Sequence, residues 1–375
     1  MKIVINTIPL LAPLTGVGHY IYNLLIEFQR LRPDIQYTFY YGYFGKKLKV
    51  YREEEAKVFY RLKEWAKESP VVSPYARKLK HRLAQINLRK YDLYFEPNFI
   101  PLDIRSKKVV TTVHDFSFHL YPEWHPRERI EYFSRNFFKR IKKADLIITG
   151  SRYIEREAFE LLNGKDLRIV TIYYGYNHAL FHAHKKAEEE KASPLGNYIL
   201  FVGSIEPRKN LLGLLKAYLL LPEYVKKDFQ LLLIGYKGWG NQEIVERMDQ
   251  LKGRVHYLGY LNNEELANLY RGASCLVFPS FYEGFGLPPL EAMACGCPAV
   301  VSGVASLPEV CGDAAYYVNP YDVESIAEGM YKVLTDEDLR RSLIEKGLER
   351  AKLFSWEKCA KEHLEVFEEV SGNSQ

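Results

Sequence analysis

Two glutamates, Glu283 and Glu291, are separated by seven residues in a segment whose order of elements suits a ligand site. The apolar run Cys275–Phe278 predicts a buried strand, and Pro288 and Pro289 favour the first turn of a helix. Glu283 is therefore expected on a strand-to-helix loop, with Glu291 just inside the helix. Carboxylates at this spacing can bind a vicinal diol, act as general acid and base, or interact with the helix dipole. Spacing alone leaves all three interpretations open.

The loop between the two carboxylates is suited to an anion. Gly284 and Gly286 carry no side-chain bulk, so the backbone can approach a ligand closely. The N–H groups of Phe285, Gly286 and Leu287 would then face the ligand at a helix N-terminus, which adds roughly half a positive charge. The segment predicts a diphosphate site.

A second charged loop follows the predicted strand Tyr198–Val202 and contains Arg208 and Lys209. An ammonium group beside a departing phosphate stabilises the negative charge that develops on it. The alternative for Lys209 is an exposed lysine at a helix start, and the alternative for Arg208 is a surface or structural role.

His114 and Asp115 follow a third predicted strand, Val109–Val113. Ligands of open parallel sheets bind beyond the carboxyl ends of the strands, so His114 should emerge at a cleft. A lone histidine is more often a structural residue. Gly16 and Gly18 lie between the first strand and the first helix, where a plain turn is the alternative to a nucleotide site.

The strands that position these residues alternate with helical patterns along the chain. Continuous apolar strands separated by helices imply parallel sheets covered on both faces, so the fold class is α/β with two doubly wound sheets in series. The predicted strands of the first half are Lys2–Asn6, Tyr37–Tyr43, Leu93–Glu96, Val109–Val113, Leu146–Thr149 and Ile169–Tyr173. Those of the second half are Tyr198–Val202, Gln230–Ile234, Val255–Leu258, Cys275–Phe278, Ala299–Val301 and Ala315–Val318.

Domain boundaries follow from a change in composition. The stretch His182–Gly196 abandons periodicity for charge, Ser, Pro and Gly, as an interdomain linker does. We predict domains at 1–182 and 197–355 with a linker at 183–196, followed by a terminal segment, 356–375, that begins with an amphipathic helix.

Composition sets the broad class. The chain has 375 residues, of which 47% are hydrophobic and 26% charged, which suits two folded domains and excludes a disordered protein. No stretch reaches the roughly 18 apolar residues of a membrane-spanning helix, and the apolar N-terminus is interpreted as a strand. These features predict a soluble, cytoplasmic protein.

The net charge of +5 is unevenly distributed. Residues 46–90 contain fourteen Lys or Arg against five Glu, a surplus of nine. This stretch is either a solvated insertion or a patch that contacts anionic lipid headgroups or a phosphorylated acceptor, which would place the protein peripherally at the inner face of the membrane.

Metal-binding patterns are absent from the sequence. It has no Asp-x-Asp after a strand, no His-Glu-x-x-His and no cysteine quartet. We therefore expect no metal site. Cationic side chains and helix dipoles would stabilise the negative charge of the diphosphate instead.

The stretch YEGFGLPPLEAMACGCPAV at 282–300 resembles the E-x7-E signature of family 4 retaining glycosyltransferases, which have the GT-B fold. FVGSIEPRKNL at 201–211 resembles the phosphate-binding loop of that family. Shorter matches are YLGY, LPEV and GDAA, which begin at residues 257, 307 and 312. The resemblance covers nearly the whole chain except 46–90 and 185–194.

When the family's functional residues are assigned to the matching positions of this sequence, the resemblance implies that Glu291 holds the donor ribose. It also implies that Glu283 contacts the donor sugar hydroxyls. The amides of 285–287 would hold the β-phosphate or sugar, and Lys209 would pair with the diphosphate. His114 would hydrogen-bond the transferred sugar.

Other positions depart from the family or fit it less closely. Gly16 would approach the donor phosphates and the acceptor, and Ser204 and Tyr260, the latter in the YLGY block, would lie on the donor side. The family often has an arginine where this chain has Ser204, so Arg208 is expected to supply that cation. Asp115 would orient the His114 imidazole or contact the acceptor, and the terminal helix would pack back on the first domain.

The expected reaction is metal-independent transfer of a hexose with retained anomeric configuration. The motifs resemble most those of bacterial GDP-mannose-dependent α-mannosyltransferases of surface-polysaccharide assembly, whose acceptors are glycans or lipid-linked saccharides. The alternatives are a UDP-glucose or UDP-galactose transferase and a non-catalytic nucleotide-sugar binding protein. We expect no cofactor beyond the nucleotide-sugar co-substrate and no nucleic-acid partner.

Overall fold

The structure is a computed structural model that describes residues 1–12, 14–50, 91–162, 167–183, 196–236, 238 and 242–372. Most of the basic stretch 46–90 and of the predicted linker 183–196 therefore lies outside the described residues. Within the described part, no helix is both long and apolar enough to cross a lipid bilayer.

The first sheet has seven strands. Their order is β3-β2-β1-β4-β5-β6-β7, and every pair is parallel except β2 with β3. Apolar runs form its centre, and all four residues of the sixth strand are buried. The strands are β1 Lys2–Asn6, β2 Gln36–Tyr40, β3 Phe44–Gly45, β4 Tyr91–Glu96, β5 Ser106–Val113, β6 Leu146–Thr149 and β7 Arg168–Thr171.

The second sheet has six parallel strands in the order β10-β9-β8-β11-β12-β13. This is the doubly wound order, in which the chain reverses direction across the sheet between β8 and β11. The prediction of two Rossmann-like parallel sheets in series is confirmed. The strands are β8 Asn197–Val202, β9 Phe229–Ile234, β10 Val255–Gly259, β11 Cys275–Phe278, β12 Ala299–Ser302 and β13 Ala315–Val318.

Helices connect the strands and cover the sheets. Several start at a polar cap, such as Asn262, whose side chain accepts from Glu264 N and Glu265 N. The described helices of the first half are α1 Gly16–Leu31, α2 Ser117–Leu120, α3 Arg127–Ile141 and α4 Arg152–Leu161. Those of the second half are α5 Leu211–Leu220, α6 Glu223–Asp228, α7 Gln242–Gln250, α8 Asn263–Gly272, α9 Leu287–Ala294, α10 Leu307–Cys311, α11 Val323–Thr335, α12 Glu337–Ala351 and α13 Trp356–Val370.

The last helix, α13, packs against α1 beside the first sheet. Its buried His363 lies 2.8 Å from the Tyr20 hydroxyl, and the ring centroids of Phe367 and Phe28 are 5.5 Å apart. The final segment of the chain is therefore anchored on the half of the molecule in which the chain begins.

The second strand ends earlier than its sequence predicts. We predicted Tyr37–Tyr43, whereas β2 ends at Tyr40. Gly42 adopts a positive φ of 86°, and the chain turns there into the antiparallel β3. A residue without a Cβ adopts that conformation without strain.

Candidate active site

Two loops meet beyond the point where the second sheet reverses direction. One follows β8 and carries Arg208 and Lys209, and the other follows β11 and carries Glu283. The N–H of Phe281 donates to the carbonyl of Arg208 at 2.9 Å, which joins the two loops. The predicted charged residues therefore converge at the edge of the sheet where ligands of this fold class bind.

Glu283 is the centre of a buried group of charges. Its Oε1 lies 2.5 Å from Lys209 Nζ, and its Oε2 lies 2.9 Å from Arg208 Nη1. Arg208 Nε also contacts Glu206 at 2.8 Å. Lys209 is 7% exposed and Glu283 6%, so each charge depends on its partners for compensation.

The balance of these contacts keeps Glu283 ionised. Burial alone raises the pKa of Glu283, but the positive charges of Lys209 and Arg208 outweigh burial and hold the pKa below its ordinary value. The carboxylate is thus a permanent acceptor at neutral pH, suited to hydroxyl or ammonium donors.

The start of α9 offers unused backbone donors. Gly286 has a φ of 108°, and a Cβ at this position would lie 2.6 Å from the Leu307 side chain, so only glycine fits. Pro288 and Pro289 have no N–H, which leaves the amides of 285–287 as the donors at this helix start. None of these three amides donates a hydrogen bond within the described part of the chain. These are the amides for which the sequence predicts an anion site, and at a helix start such free N–H groups are suited to one.

Glu291 lies on α9, half-buried. The Tyr270 hydroxyl donates to its Oε2 at 3.2 Å. Burial raises the pKa of Glu291 to about 8, and the tyrosine hydrogen bond opposes this only in part. The carboxyl group is thus largely protonated at neutral pH before a ligand binds.

Tyr260 follows β10 and Ser204 follows β8, the two strands on either side of β9. The Tyr260 ring stacks on Tyr236 with centroids 4.4 Å apart, and 45% of Tyr260 is exposed. The Tyr236 carbonyl accepts from Ile205 N, next to the half-buried Ser204. This arrangement leaves a flat aromatic surface exposed at this edge of the sheet.

His114 is buried at the carboxyl end of β5, and both of its ring nitrogens are engaged. Nδ1 lies 2.6 Å from the Tyr174 hydroxyl, and Nε2 lies 2.9 Å from the carbonyl of Pro97. Burial lowers the pKa of His114 to about 4, so the imidazole is neutral. A hydrogen bond to a sugar therefore requires one of these partners to be exchanged.

Asp115 does not orient the His114 imidazole, which was one of the two roles expected for it. Its Oδ1 instead accepts from the N–H and the hydroxyl of Ser117, at 3.0 and 2.7 Å. Contact with the acceptor remains its predicted role.

Gly16 lies at a helix start rather than on the loop predicted for it, because α1 begins at this residue. It is exposed, and a Cβ placed on it would meet no atom within 4 Å. Packing within the protein does not require glycine here, which leaves room for a ligand beside the first turn.

The two halves of the molecule touch at the loop after β11. A Cβ on Gly284 would lie 1.9 Å from the His114 carbonyl oxygen, so only glycine permits this approach. The Tyr282 hydroxyl accepts from Phe116 N at 3.0 Å and donates to Glu157 at 2.5 Å. The turn that carries His114 and Asp115 therefore lies against the loop that carries Glu283.

Several residues that build the site escaped the sequence analysis. Glu206 contacts Arg208, and Tyr270 contacts Glu291. Tyr174 contacts His114. Only Glu206 had a signal in the sequence, since it stands two residues before Arg208 in the charged loop. The two tyrosines are brought in by tertiary packing.

Two family models match consecutive parts of the chain. Glycosyltransferase Family 4 matches residues 14–180, and Glycosyl transferases group 1 matches residues 183–350. O-antigen chain mannosyltransferase B of Escherichia coli is 36% identical over 381 residues, which cover 98% of this chain and 99% of that protein. O-antigen chain mannosyltransferase RfbU of Salmonella typhimurium is 32% identical over 235 residues, 60% of each protein.

Solved structures share the architecture. Sucrose-phosphate synthase from Thermosynechococcus elongatus has a TM-score of 0.73 at 22% identity, with both chains wholly covered. HepE of Anabaena, solved with UDP-glucose, has a TM-score of 0.69 at 17% identity over 99% of this chain and all of its own. At these identities the likeness establishes the fold alone. With the family models and a relative that matches it from end to end, the chain belongs to glycosyltransferase family 4 and has the GT-B fold.

Proposed function

We propose that this glycosyltransferase moves an α-mannosyl group from GDP-mannose to a hydroxyl of a glycan or lipid-linked saccharide, with retained configuration. The names of the relatives from Escherichia coli and Salmonella typhimurium support mannose as the sugar and surface-polysaccharide assembly as the process. The observation that carries glycosyl transfer is the pairing of Lys209 and Glu283 beside three amides with no partner among the described residues.

In this proposal the donor spans the loops of the second sheet. Glu291 accepts hydrogen bonds from the ribose diol, and the amides of 285–287 bind the diphosphate at the helix start. Tyr260 lies on the donor side with Ser204, where its exposed ring offers a surface to the base. Glu283 accepts from hydroxyls of the sugar while Arg208 holds it in place.

The acceptor hydroxyl attacks the anomeric carbon from the face that the diphosphate leaves. The bond from the anomeric carbon to the phosphate oxygen breaks, the new glycosidic bond forms, and the hydroxyl proton passes to the departing phosphate oxygen. Lys209 stabilises the charge that grows on that phosphate. Both oxygens of Glu283 are held by cations, which disfavours a covalent role for this carboxylate.

The test is a donor panel of GDP-mannose, UDP-glucose and UDP-galactose, read as acceptor-dependent release of the nucleoside diphosphate and as a thermal shift. We expect turnover with GDP-mannose and none with the two UDP-sugars. Turnover with a UDP-sugar alone would replace the proposed donor. Thermal shifts without turnover for any donor would identify a binding protein instead of an enzyme.

We predict that transfer does not depend on a divalent cation. Lys209 and the helix start at Leu287 supply positive charge at the diphosphate, the task that Mg²⁺ performs in metal-dependent enzymes. Initial rates in metal-depleted buffer should be unchanged by excess EDTA and by added Mg²⁺. Activity that is lost with EDTA and restored by Mg²⁺ would contradict metal independence.

We also propose peripheral attachment to the inner face of the membrane through residues 46–90. Each Lys or Arg near an anionic surface contributes up to about 1 kcal/mol, and salt screens it beyond roughly 8–10 Å. The protein should sediment with anionic vesicles at low salt and be released at high salt. The comparison variant replaces four cations of this stretch with glutamine: Arg77, Lys78, Lys80 and Arg82. Equal sedimentation with neutral vesicles, or none at low salt, would return 46–90 to a solvated insertion.

A further inference from the structure

A chain of three side chains ends at Asp115. The Ser117 hydroxyl donates to Asp115 Oδ1 at 2.7 Å, and His125 Nε2 lies 2.9 Å from the same hydroxyl. Because the serine proton is used on the carboxylate, the serine oxygen accepts from His125 Nε2–H. Ser117 is 1% exposed and His125 is 9% exposed, so water competes little with either contact.

This chain leaves one oxygen of Asp115 open. Oδ1 takes both donors of Ser117, whereas Oδ2 takes no hydrogen bond from the residues that the structure describes. Asp115 is half-buried, and a Cβ placed on Gly284 would lie 3.2 Å from the Cβ of Asp115. Gly284 stands in the loop after β11, which is the donor loop in the proposed function. A carboxylate with one oxygen fixed and the other open, beside the donor loop, is arranged to receive a hydroxyl.

The residue before His125 contacts the half of the molecule that carries the proposed donor site as well as its own loop. The neighbouring Trp124 stacks on Tyr121 with centroids 4.1 Å apart, and on Phe281 at 5.9 Å. Phe281 stands two residues before Glu283. The position of the histidine is thus tied to the loop that carries the donor-side carboxylate.

We propose that Ser117 and His125 are positioning residues that fix Asp115 so that its Oδ2 accepts a hydrogen bond from a hydroxyl of the saccharide acceptor. This inference rests on the proposed glycosyl transfer and adds the acceptor side to it. The proton of the attacking hydroxyl still goes to the departing phosphate, so Asp115 orients the acceptor without taking a proton. A hydrogen bond to a charged group is stronger than one between neutral groups, so its orientation has a measurable effect.

The competing role for Asp115 is purely structural, as a cap on the short helix α2. A cap supports the fold of its loop and affects donor and acceptor alike. If Asp115 binds the acceptor, a change in its position affects binding of the acceptor alone. The KM values of the donor and of the acceptor therefore separate the two roles.

The experiment measures transfer to methyl α-mannoside for Ser117→Ala and His125→Ala. We expect KM for the acceptor to rise about tenfold for each, while Kd for GDP by calorimetry stays within about twofold of the wild type. His125→Gln keeps an N–H donor, so its KM for the acceptor should lie close to the wild-type value. His119→Ala, an exposed histidine on the same short helix, is the matched control and should leave both values unchanged.

Combination with Asp115→Asn makes the test specific to the chain of contacts. If the serine acts through the aspartate, Ser117→Ala should add little to Asp115→Asn, because coupled residues are not additive. Additive effects, or equal losses in acceptor KM and GDP affinity, would overturn the positioning role. If an alanine variant has a lowered melting temperature, it is replaced by Ser117→Cys or His125→Leu, which keep similar bulk and lose the strong hydrogen bond. If the donor panel favours a UDP-sugar, the same series is run with that donor and UDP, so the two proposals fail separately.

Discussion

Replacing Lys209 with alanine is expected to lower kcat by about 10²- to 10³-fold while the Kd for GDP changes by less than about fivefold. The negative charge on the leaving diphosphate grows as the glycosidic bond breaks, so a cation beside it stabilises the transition state more than the bound donor. Burial strengthens the effect, since Lys209 is only 7% exposed and acts where water screens little.

The measurement is initial-rate kinetics with saturating acceptor, alongside calorimetry with GDP. Lys216→Ala is the matched control, because Lys216 is a half-buried lysine on the next helix, α5, whose only ion pair among the described residues is a 3.8 Å contact with Glu243. A rise in KM with kcat intact would show that Lys209 binds only the ground state.

The folded state needs its own check in this variant. Lys209 is one of two cations that compensate the buried Glu283, so its removal leaves the carboxylate with Arg208 alone. Breaking a buried ion pair costs about 3–5 kcal/mol when one charge is stranded. Glu283→Gln with Lys209→Met removes both charges of the pair, and its melting temperature shows how much of the loss is structural.

The architecture was predictable because buried parallel strands carry their own signal. Leu146–Thr149 and Cys275–Phe278 are short apolar runs with every residue buried, and the structure assigns strands to the residues predicted. The doubly wound order then places the loops after β8 and β11 side by side. Convergence of Lys209 and Glu283 follows from this order once the sheet is known.

The pairings within the site were not predictable in the same way. Resemblance assigns Lys209 to the diphosphate and Glu283 to the sugar, whereas in the structure the two side chains bind each other across 74 positions of sequence. Likewise, His114 is satisfied by Tyr174 and Pro97, whose approach depends on packing between strands distant in sequence. Spacing along the chain locates a residue on a strand end, but the partners there are set by tertiary structure.

Glu291→Ala is expected to weaken GDP binding by about 1–3 kcal/mol, which is roughly five- to 150-fold in Kd. The ribose hydroxyls that donate to this carboxylate would lose their acceptor. Calorimetry with GDP measures the change, and unchanged affinity would remove Glu291 from the ribose.

Glu309→Ala is not a suitable control, because Glu309 accepts from two backbone N–H groups of α4. Glu328→Ala on α11 serves better, because among the described residues its carboxylate has only a surface ion pair with Lys332.

The raised pKa of Glu291 adds a pH dependence whose sign is fixed. Burial raises the pKa of the free carboxyl to about 8, and two ribose hydroxyls that donate to it favour the ionised form, so binding lowers this pKa. A group whose pKa falls on binding releases a proton, so GDP affinity should rise with pH up to about 8 and then level off, by at most about tenfold per pH unit.

The terminal phosphate of GDP also titrates, near pH 6. The reference is therefore Glu291→Gln, in which the pH dependence of the phosphate remains and that of the carboxyl group is removed. Calorimetry between pH 6.5 and 8.5 in buffers of different ionisation enthalpy counts the protons released. Equal pH profiles for wild type and Glu291→Gln would mean that the carboxyl does not change its charge when the ribose binds.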